Sequence, residues 1–486
     1  MLANETGLYA AFKAKDRRFD GRFFVGISST GIYCRPVCRA KMPKEENCHF
    51  FATAAEAEQA GFRPCLLCRP ELAPGLSIID ASAALARKAA RLLEENCGAG
   101  INLKELAEKM GCSDRHLRRV FSEEYNVTLI QYLQTCRLLL AKSLLQDTNL
   151  PIVEVAMAAG FGSLSRFNDL FKKQYKLSPT ALRKGTSQEE RSTCDVSLLL
   201  CYRPPYLWDR ILKFLADRAI TGVDLVRDDT YWRTVRLENG SGQRFAGWIQ
   251  VGHVPKKNAL CVTVSETLLP VLSQVLARVR RLFDIYCDPE AVYEVLQTMN
   301  KVRPGLCVPG TRVPGCFDSF EIAVRTVLGQ QITVKAAKTL AARLVAVYGN
   351  PIQTGIEGLT HLFPSPEDVV ALGENIEESF GTLGVIAARS RTIFRLAEAL
   401  VDGELSLEPS AELENEMKKL LNIQGIGPWS AQYMAMRTME WPDAFLDTDA
   451  GVRKALSSRS SKEMQEMAEA WRPWRSYATV NLWNTL

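Results

Sequence analysis

The chain has 486 residues, 47% hydrophobic and 24% charged, with a formal net charge of +5. This length suits three or four folded domains, and the composition is that of ordinary soluble protein. No run of about eighteen apolar residues exists, which excludes a membrane helix. Met1-Leu2-Ala3-Asn4-Glu5 lacks a basic segment followed by an apolar core, so no signal peptide is expected.

Charge is uneven along the chain. Residues 1–195 hold 28 Lys and Arg against 22 Asp and Glu, and the remainder holds 32 against 33. The first part suits contact with nucleic acid. The second must use backbone donors and a few placed cations instead.

Residues 1–75 alternate short apolar pieces with Gly and Pro and end in a Pro/Gly linker at 69–75. Within them, Cys34-Arg35-Pro36-Val37-Cys38 precedes Cys65-Leu66-Leu67-Cys68. Two close cysteine pairs in a reducing compartment read as one tetrahedral metal site. Cys97, Cys112, Cys136, Cys201 and Cys261 sit in apolar patterns and are expected to be small buried residues. A reducing cytoplasm follows, and the bacterial one fits. Cys48 takes no role, and His49, His116, His253 and His361 never pair at ligand spacing.

Residues 78–185 are periodic at helical spacing and contain one duplication. Asn102–Lys109, a Gly111 turn, a Ser113 cap and a helix from Asp114 to Phe121 make the first unit. Ile152–Ala156, a Gly160-Phe161 turn and a helix from Leu164 to Phe171 repeat the plan. A polar linker at 184–193 follows. Residues 196–285 mix strand-like runs, such as 223–226 and 259–264, with a helical run over 270–283. From Phe317 onward the pattern is almost wholly helical.

Near the end, Leu421-Asn422-Ile423-Gln424-Gly425-Ile426-Gly427-Pro428-Trp429 reads as two helices joined by a Gly-x-Gly hairpin. Gly425 and Gly427 let the backbone turn tightly and present amides to a phosphate. Phe445-Leu446-Asp447-Thr448-Asp449 follows about 20 residues later.

With Thr30-Gly31-Ile32-Tyr33 before the first cysteine pair and Gly61-Phe62-Arg63-Pro64 before the second, residues 1–75 resemble the zinc domain of Ada-type proteins. The resemblance implies Zn2+ held by Cys34, Cys38, Cys65 and Cys68. It also implies that Cys34 accepts a methyl group from a DNA methylphosphotriester. Four thiolates on zinc carry a cluster charge of −2, and methylation leaves −1. Repulsion from DNA falls, so transfer can act as a switch. Arg35, Arg39, Lys41 and Arg63 are the phosphate-contact candidates here.

Residues 78–185 resemble the AraC-type DNA-binding domain, which implies two recognition helices in successive major-groove segments. Arg115, Arg118, Ser165, Arg166 and Asn168 are the contact candidates. Promoter DNA and RNA polymerase are the implied partners.

The hairpin followed by Asp449 resembles the helix-hairpin-helix DNA glycosylases. Over 196–486, Pro204-Pro205-Tyr206, Leu328-Gly329-Gln330-Gln331 and Trp471–Tyr477 make the likeness one to AlkA-like 3-methyladenine glycosylases. Asp449 aligns with the catalytic carboxylate, and Asp447 is its competitor. Bifunctional members carry lysine where Trp429 stands, so hydrolysis without a Schiff base is implied. Trp429, Tyr433 and Trp483 would line the pocket for a flipped, alkylated base. Gln331 stands where AlkA-like relatives carry a leucine wedge. Some implied cofactors differ: a monovalent cation fits the hairpin, and no cysteine follows Cys316 to hold an iron–sulfur cluster.

The fold expected is a multidomain α+β protein, mostly α. A small zinc domain spans 1–75, a double helix-turn-helix 78–185, a small α+β sheet domain 196–285 and an all-α glycosylase core 286–486. The function expected is an alkylation-response protein, monomeric and nucleoid-associated, joining a methyl-activated transcription factor to a glycosylase acting on double-stranded DNA. Two alternatives stand beside it: a regulator with an inert glycosylase-like module, and a repair enzyme whose front half only recruits it to DNA.

Overall fold

The computed structural model describes residues 5–16, 19–20, 22–51, 54–68, 70, 78–98, 102–184, 196–409, 413–456 and 459–486. The linkers expected at 69–75 and 184–193 lie almost wholly outside the described residues.

The first region is built on a four-stranded sheet in the order Cys48–Phe51, Phe24–Ile27, Ile32–Cys34, Arg63–Pro64. Gly31, at φ +66°, closes the tight hairpin between the middle strands. The last pair is parallel, with Ile32 opposite Arg63 and Tyr33 opposite Pro64. Phe12, Phe19, Phe23 and Phe50 form the core beneath. That core does not end at a domain boundary. Phe19 meets Trp474 edge-on at 4.8 Å, and Val292, Leu296 and Tyr477 belong to the same cluster.

The duplication is visible in three dimensions. Ser113 caps helix Asp114–Tyr125 by accepting from the His116 amide, and Ser163 caps helix Leu164–Tyr175 by accepting from Arg166. Both twelve-residue helices end in left-handed caps, at Asn126 and Lys176. Helix Leu129–Asp147 joins the units. Both helices run one turn beyond Phe121 and Phe171, where Tyr125 and Tyr175 pack back on those rings at 4.6 Å.

The next region is a five-stranded antiparallel sheet, ordered Val196–Cys201, Ala259–Val264, Arg244–Val254, Thr230–Glu238, Asp224–Arg227. Its apolar face shares a core with the second helix-turn-helix unit: Phe161, Phe167 and Phe171 pack in one cluster with Val196, Leu198 and Leu268. The rest is helical apart from the two-residue strands Asn350–Pro351 and His361–Leu362. No described helix is long and apolar enough to cross a membrane.

Two cysteine expectations divide. Cys97 is buried, whereas Cys112, Cys136 and Cys261 are half-buried and Cys201 is exposed. Cys201 ends its strand, where the in–out alternation turns it outward.

Gly160 joins the halves closely. It sits at φ +82°, and a Cβ there would lie 2.3 Å from the Cys97 carbonyl oxygen and 2.9 Å from Arg137 Nε. Gly160→Ala should cost about 1–3 kcal/mol through strain and displacement of the Arg137–Cys97 hydrogen bond. Urea unfolding should show that loss as a lower midpoint.

Candidate functional sites

The cysteine cluster follows from sheet register. Cys34 ends the strand Ile32–Cys34, and the Cys65 amide donates to the Tyr33 carbonyl at 3.0 Å across the parallel pair. Cys38 folds back through its amide to the Arg35 carbonyl. Four sulfurs consequently lie within 4.8 Å of one another, with only Cys68 partly exposed. Hydrogen bonds to Cys38 and Cys68, then burial, push the Cys34 thiol up. The hydrogen bond from Cys34 pulls Cys38 down to about 2. So crowded a shell cannot ionise all its thiols without a cation, and four soft sulfurs suit tetrahedral zinc.

Arg35 is not on the DNA-facing surface. It is 6% exposed and its guanidinium is clamped by Asp20, with Nε to Oδ1 at 2.8 Å. It also donates Nη1 to the Cys68 carbonyl at 3.2 Å, and its backbone amide to Cys68 Sγ at 3.4 Å. Arg35 thus braces the second knuckle against the first. Arg39, Lys41 and Arg63 are exposed and uncommitted to a buried pair.

On the recognition helices Arg115, Ser165 and Arg166 are exposed. Arg118 and Asn168 are half-buried, and Arg118 pairs with Asp114 at 2.7 Å. An exposed i,i+4 pair holds weakly enough to open for a phosphate.

The hairpin lies between helices Leu413–Asn422 and Pro428–Arg437. Gly425 has φ +96°, and a Cβ there would sit 2.0 Å from Thr392 Oγ1. Thr392 donates to the Gln424 carbonyl at 3.0 Å, and Gln330 donates to the Gly425 carbonyl at 2.9 Å and to Ser430 Oγ at 3.0 Å. Gly427, the N-cap of the second helix, has open space where a Cβ would be. Next to Gln330, Gln331 is exposed at φ +56° on the turn before helix Val334–Tyr348.

Asp449 is the N-cap of helix Ala450–Ala455 and accepts from the Val452 amide at 3.0 Å. Two indoles converge on it: Trp483 Nε1 reaches Oδ1 at 2.9 Å and Trp429 Nε1 reaches Oδ2 at 3.2 Å. Gly451 permits this approach, because a Cβ there would lie 3.0 Å from Trp483 Cδ1 and 3.1 Å from Asp449 Oδ1. Asp447 is instead held by Gln465 at 2.7 Å.

Tyr433 stacks on Trp429 at 5.3 Å and 17°, and lies 6.2 Å from Trp483. A fourth ring comes from the sheet domain: Phe214 stacks on Trp483 at 6.1 Å and 19°. Arg437 donates to Tyr433 Oη at 2.6 Å and covers the Phe214 ring. Arg218 covers the same ring at 3.7 Å. Burial raises the Tyr433 hydroxyl pKa, but Arg437, Arg218 and Arg325 outweigh it and bring the value below that of an ordinary tyrosine.

Phe214, Arg218, Arg437, Gln330 and Thr392 carry no motif signal of their own. Gln330 lies in a turn inside the Leu328–Gln331 run and the others are ordinary helix residues; only folding sets them against the hairpin or the aromatic wall.

Four family models match this chain: the metal binding domain of Ada over residues 7–71, a helix-turn-helix domain over 106–185, the AlkA N-terminal domain over 197–318, and the HhH-GPD superfamily of base excision DNA repair proteins over 324–476. Together they define a DNA-binding regulator joined to a glycosylase-type repair domain. The chain is 37% identical to a probable bifunctional transcriptional activator/DNA repair enzyme AlkA from Mycobacterium tuberculosis, over 98% of this chain and 96% of that one. It belongs to that bifunctional activator/repair family. A DNA-3-methyladenine glycosylase 2 from Escherichia coli is 34% identical over 59% of this chain and 96% of its own. The Bacillus subtilis bifunctional transcriptional activator/DNA repair enzyme AdaA is 32% identical over 36% of this chain and 81% of its own.

The packing around Gly425 yields a direct test. Gly425→Ala must push Thr392 away and strain a left-handed turn, spoiling the amide cradle. Fluorescence anisotropy should show about tenfold weaker binding of a duplex containing an abasic-site analogue, with circular dichroism showing the variant folded.

Proposed function

We propose that this chain hydrolyses the N-glycosidic bond of alkylated bases in duplex DNA, using Asp449, and accepts methyl groups from DNA methylphosphotriesters on Cys34. The observation that carries the first activity is the convergence of two indole N–H groups on one carboxylate beside the hairpin. Those donors keep Asp449 oriented toward the aromatic wall, and they cannot supply an amine for a Schiff base.

The flipped base stacks among Trp429, Tyr433, Trp483 and Phe214. Alkylation at a ring nitrogen makes the base cationic, so electron-rich ring faces hold it and it leaves readily. As the bond to the sugar breaks, its electron pair goes to the departing base and positive charge grows on the sugar. Asp449 stabilises that charge and orients the attacking water, whose hydroxyl adds to the sugar carbon while its proton passes to the Asp449 carboxylate. The product is an abasic site. Gly425, Gly427 and the first amides of helix Pro428–Arg437 hold the neighbouring phosphate, and Gln331 fills the vacated stack. A monovalent cation at the hairpin belongs to the same reading, since the Gln424 and Gly425 carbonyls each keep a second lone pair.

Zinc held by Cys34, Cys38, Cys65 and Cys68 supplies the charge that keeps the Cys34 sulfur a thiolate. Cys34 then attacks the ester methyl carbon. A sulfur–carbon bond forms, the carbon–oxygen bond breaks, and its electrons restore an anionic phosphodiester. Arg115, Arg118, Ser165, Arg166 and Asn168 read promoter DNA in this proposal, and Arg39, Lys41 and Arg63 steer the backbone to Cys34. RNA polymerase as a partner, a monomeric state and a cytoplasmic, nucleoid-associated location complete it.

Purified protein incubated with methylated duplex DNA should release 3-methyladenine, and Asp449→Asn should release it at least about 100-fold more slowly. Circular dichroism must show the variant folded. Release at the unaltered rate would remove Asp449 from the chemistry; no release from the folded parent protein would leave only the regulator. In a separate assay, Cys34→Ser should take up no labelled methyl from a methylphosphotriester duplex.

A further inference from the structure

The second cysteine knuckle carries an unexplained pair of side chains. Leu66 is 87% exposed, more than any other large apolar residue among those described, and Leu67 is 65% exposed. Both stand between Cys65 and Cys68, whose sulfurs share one shell with Cys34. Nothing in a four-thiolate site asks for them: ligation needs the two cysteines and a tight turn, and polar residues at these places would keep the turn solvated. Arg63 stands two residues before Cys65, and Arg39 and Lys41 follow Cys38; all three are exposed. Arg35, the nearest cation in sequence to Cys34, is withdrawn into its pair with Asp20. The two segments that carry the four sulfurs therefore expose two leucines and three cations.

That pattern has a counterpart in damaged DNA. A methylphosphotriester is neutral and bears a methyl group, yet the phosphates on either side remain anionic. Attraction from cations cannot select the neutral group, because every cation prefers an intact phosphate; repulsion from the −2 thiolate cluster disfavours an intact phosphate but holds nothing in its place. An apolar contact can. A leucine pressed against an anionic phosphate would strip its water without return, whereas the same contact with a methyl ester and its sugar buries apolar surface on both sides. Resting on the methyl-acceptor reading above, we propose that Leu66 and Leu67 form the specificity element of that site: they seat the neutral, methylated phosphate at Cys34 while Arg39, Lys41 and Arg63 take the flanking charged ones.

Binding can be separated from transfer with a duplex carrying one methylphosphonate linkage, which is neutral and methyl-bearing but cannot give up its methyl. Fluorescence anisotropy on the zinc-loaded full chain compares it with the unmodified duplex. The parent protein should prefer the methylphosphonate duplex by about tenfold. L66S/L67S should lose that preference while keeping its affinity for unmodified DNA, its zinc and its 3-methyladenine release. L66M/L67M should keep the preference. Single-turnover methyl transfer from a methylphosphotriester duplex below saturation should fall about tenfold in the serine variant only.

An unchanged preference in L66S/L67S overturns the proposal. So does equal weakening on both duplexes, which makes the pair a general DNA contact. If both the preference and the transfer rate survive while promoter activation by polymerase is lost, the leucines dock a protein instead, and the proposal fails in that way too. A parent protein that prefers the neutral linkage but never methylates Cys34 refutes the methyl-acceptor reading alone and leaves the recognition element standing.

Discussion

The architecture turns on one buried guanidinium. The Arg281 side chain is 9% exposed and meets three carboxylates: Glu95, Glu408 at 2.6 Å and Glu440 at 3.7 Å. Glu95 ends the helix Ile78–Glu95 that leads into the DNA-binding unit, Glu408 precedes the hairpin, and Glu440 follows its second helix. One residue of the sheet domain thereby ties the regulator to the repair core. With Glu408 and Glu440 partly exposed, such a cluster adds little net stability over an apolar contact. Its value lies in geometry. The Arg281 carbonyl lies 2.3 Å from where a Gly315 Cβ would be. The Gly315 carbonyl in turn accepts from Arg437 at 2.9 Å, and Arg437 holds Tyr433. A line of packed contacts thus runs from the junction to the aromatic wall.

A second line runs through the cysteine site. Asp20 pairs with Arg35 and also with Arg87 at 3.8 Å, and Arg87 pairs with Glu124 on the first recognition helix at 3.5 Å. Helix Ile78–Glu95 therefore bears Arg87 toward the cysteine knuckles and Glu95 toward Arg281. Arg91 adds a hydrogen bond to the Pro409 carbonyl at 3.0 Å. The helix is a shared wall between the cysteine site, the helix-turn-helix units and the glycosylase-type core.

The repair site shows how local rules yield to assembly. A helix N-cap usually spends its carboxylate on backbone amides. Asp449 gives one oxygen to the Val452 amide and still receives both indoles, because a carboxylate has about four acceptor positions. Its neighbour Asp447 has comparable sequence context but faces Gln465. What distinguishes their surroundings is Trp429 and Trp483, which reach Asp449 from 20 residues upstream and 34 downstream.

The cysteine spacing, the repeated cap-and-turn pattern and the Gly425/Gly427 hairpin were all legible in the chain. They are local: ligand spacing, a serine cap and a positive φ are decided within a few residues, so the local sequence specifies them. The antiparallel sheet and the helical remainder were legible for the same reason, through periodicity. Tertiary structure alone decided the rest. Arg35 reads as a free cation beside a nucleophile until Asp20 folds over it. Phe214 carries no motif of its own, yet from the sheet domain's core it stacks on Trp483. Burial and partnership are long-range quantities, set by which surfaces meet, and no spacing within a segment carries them.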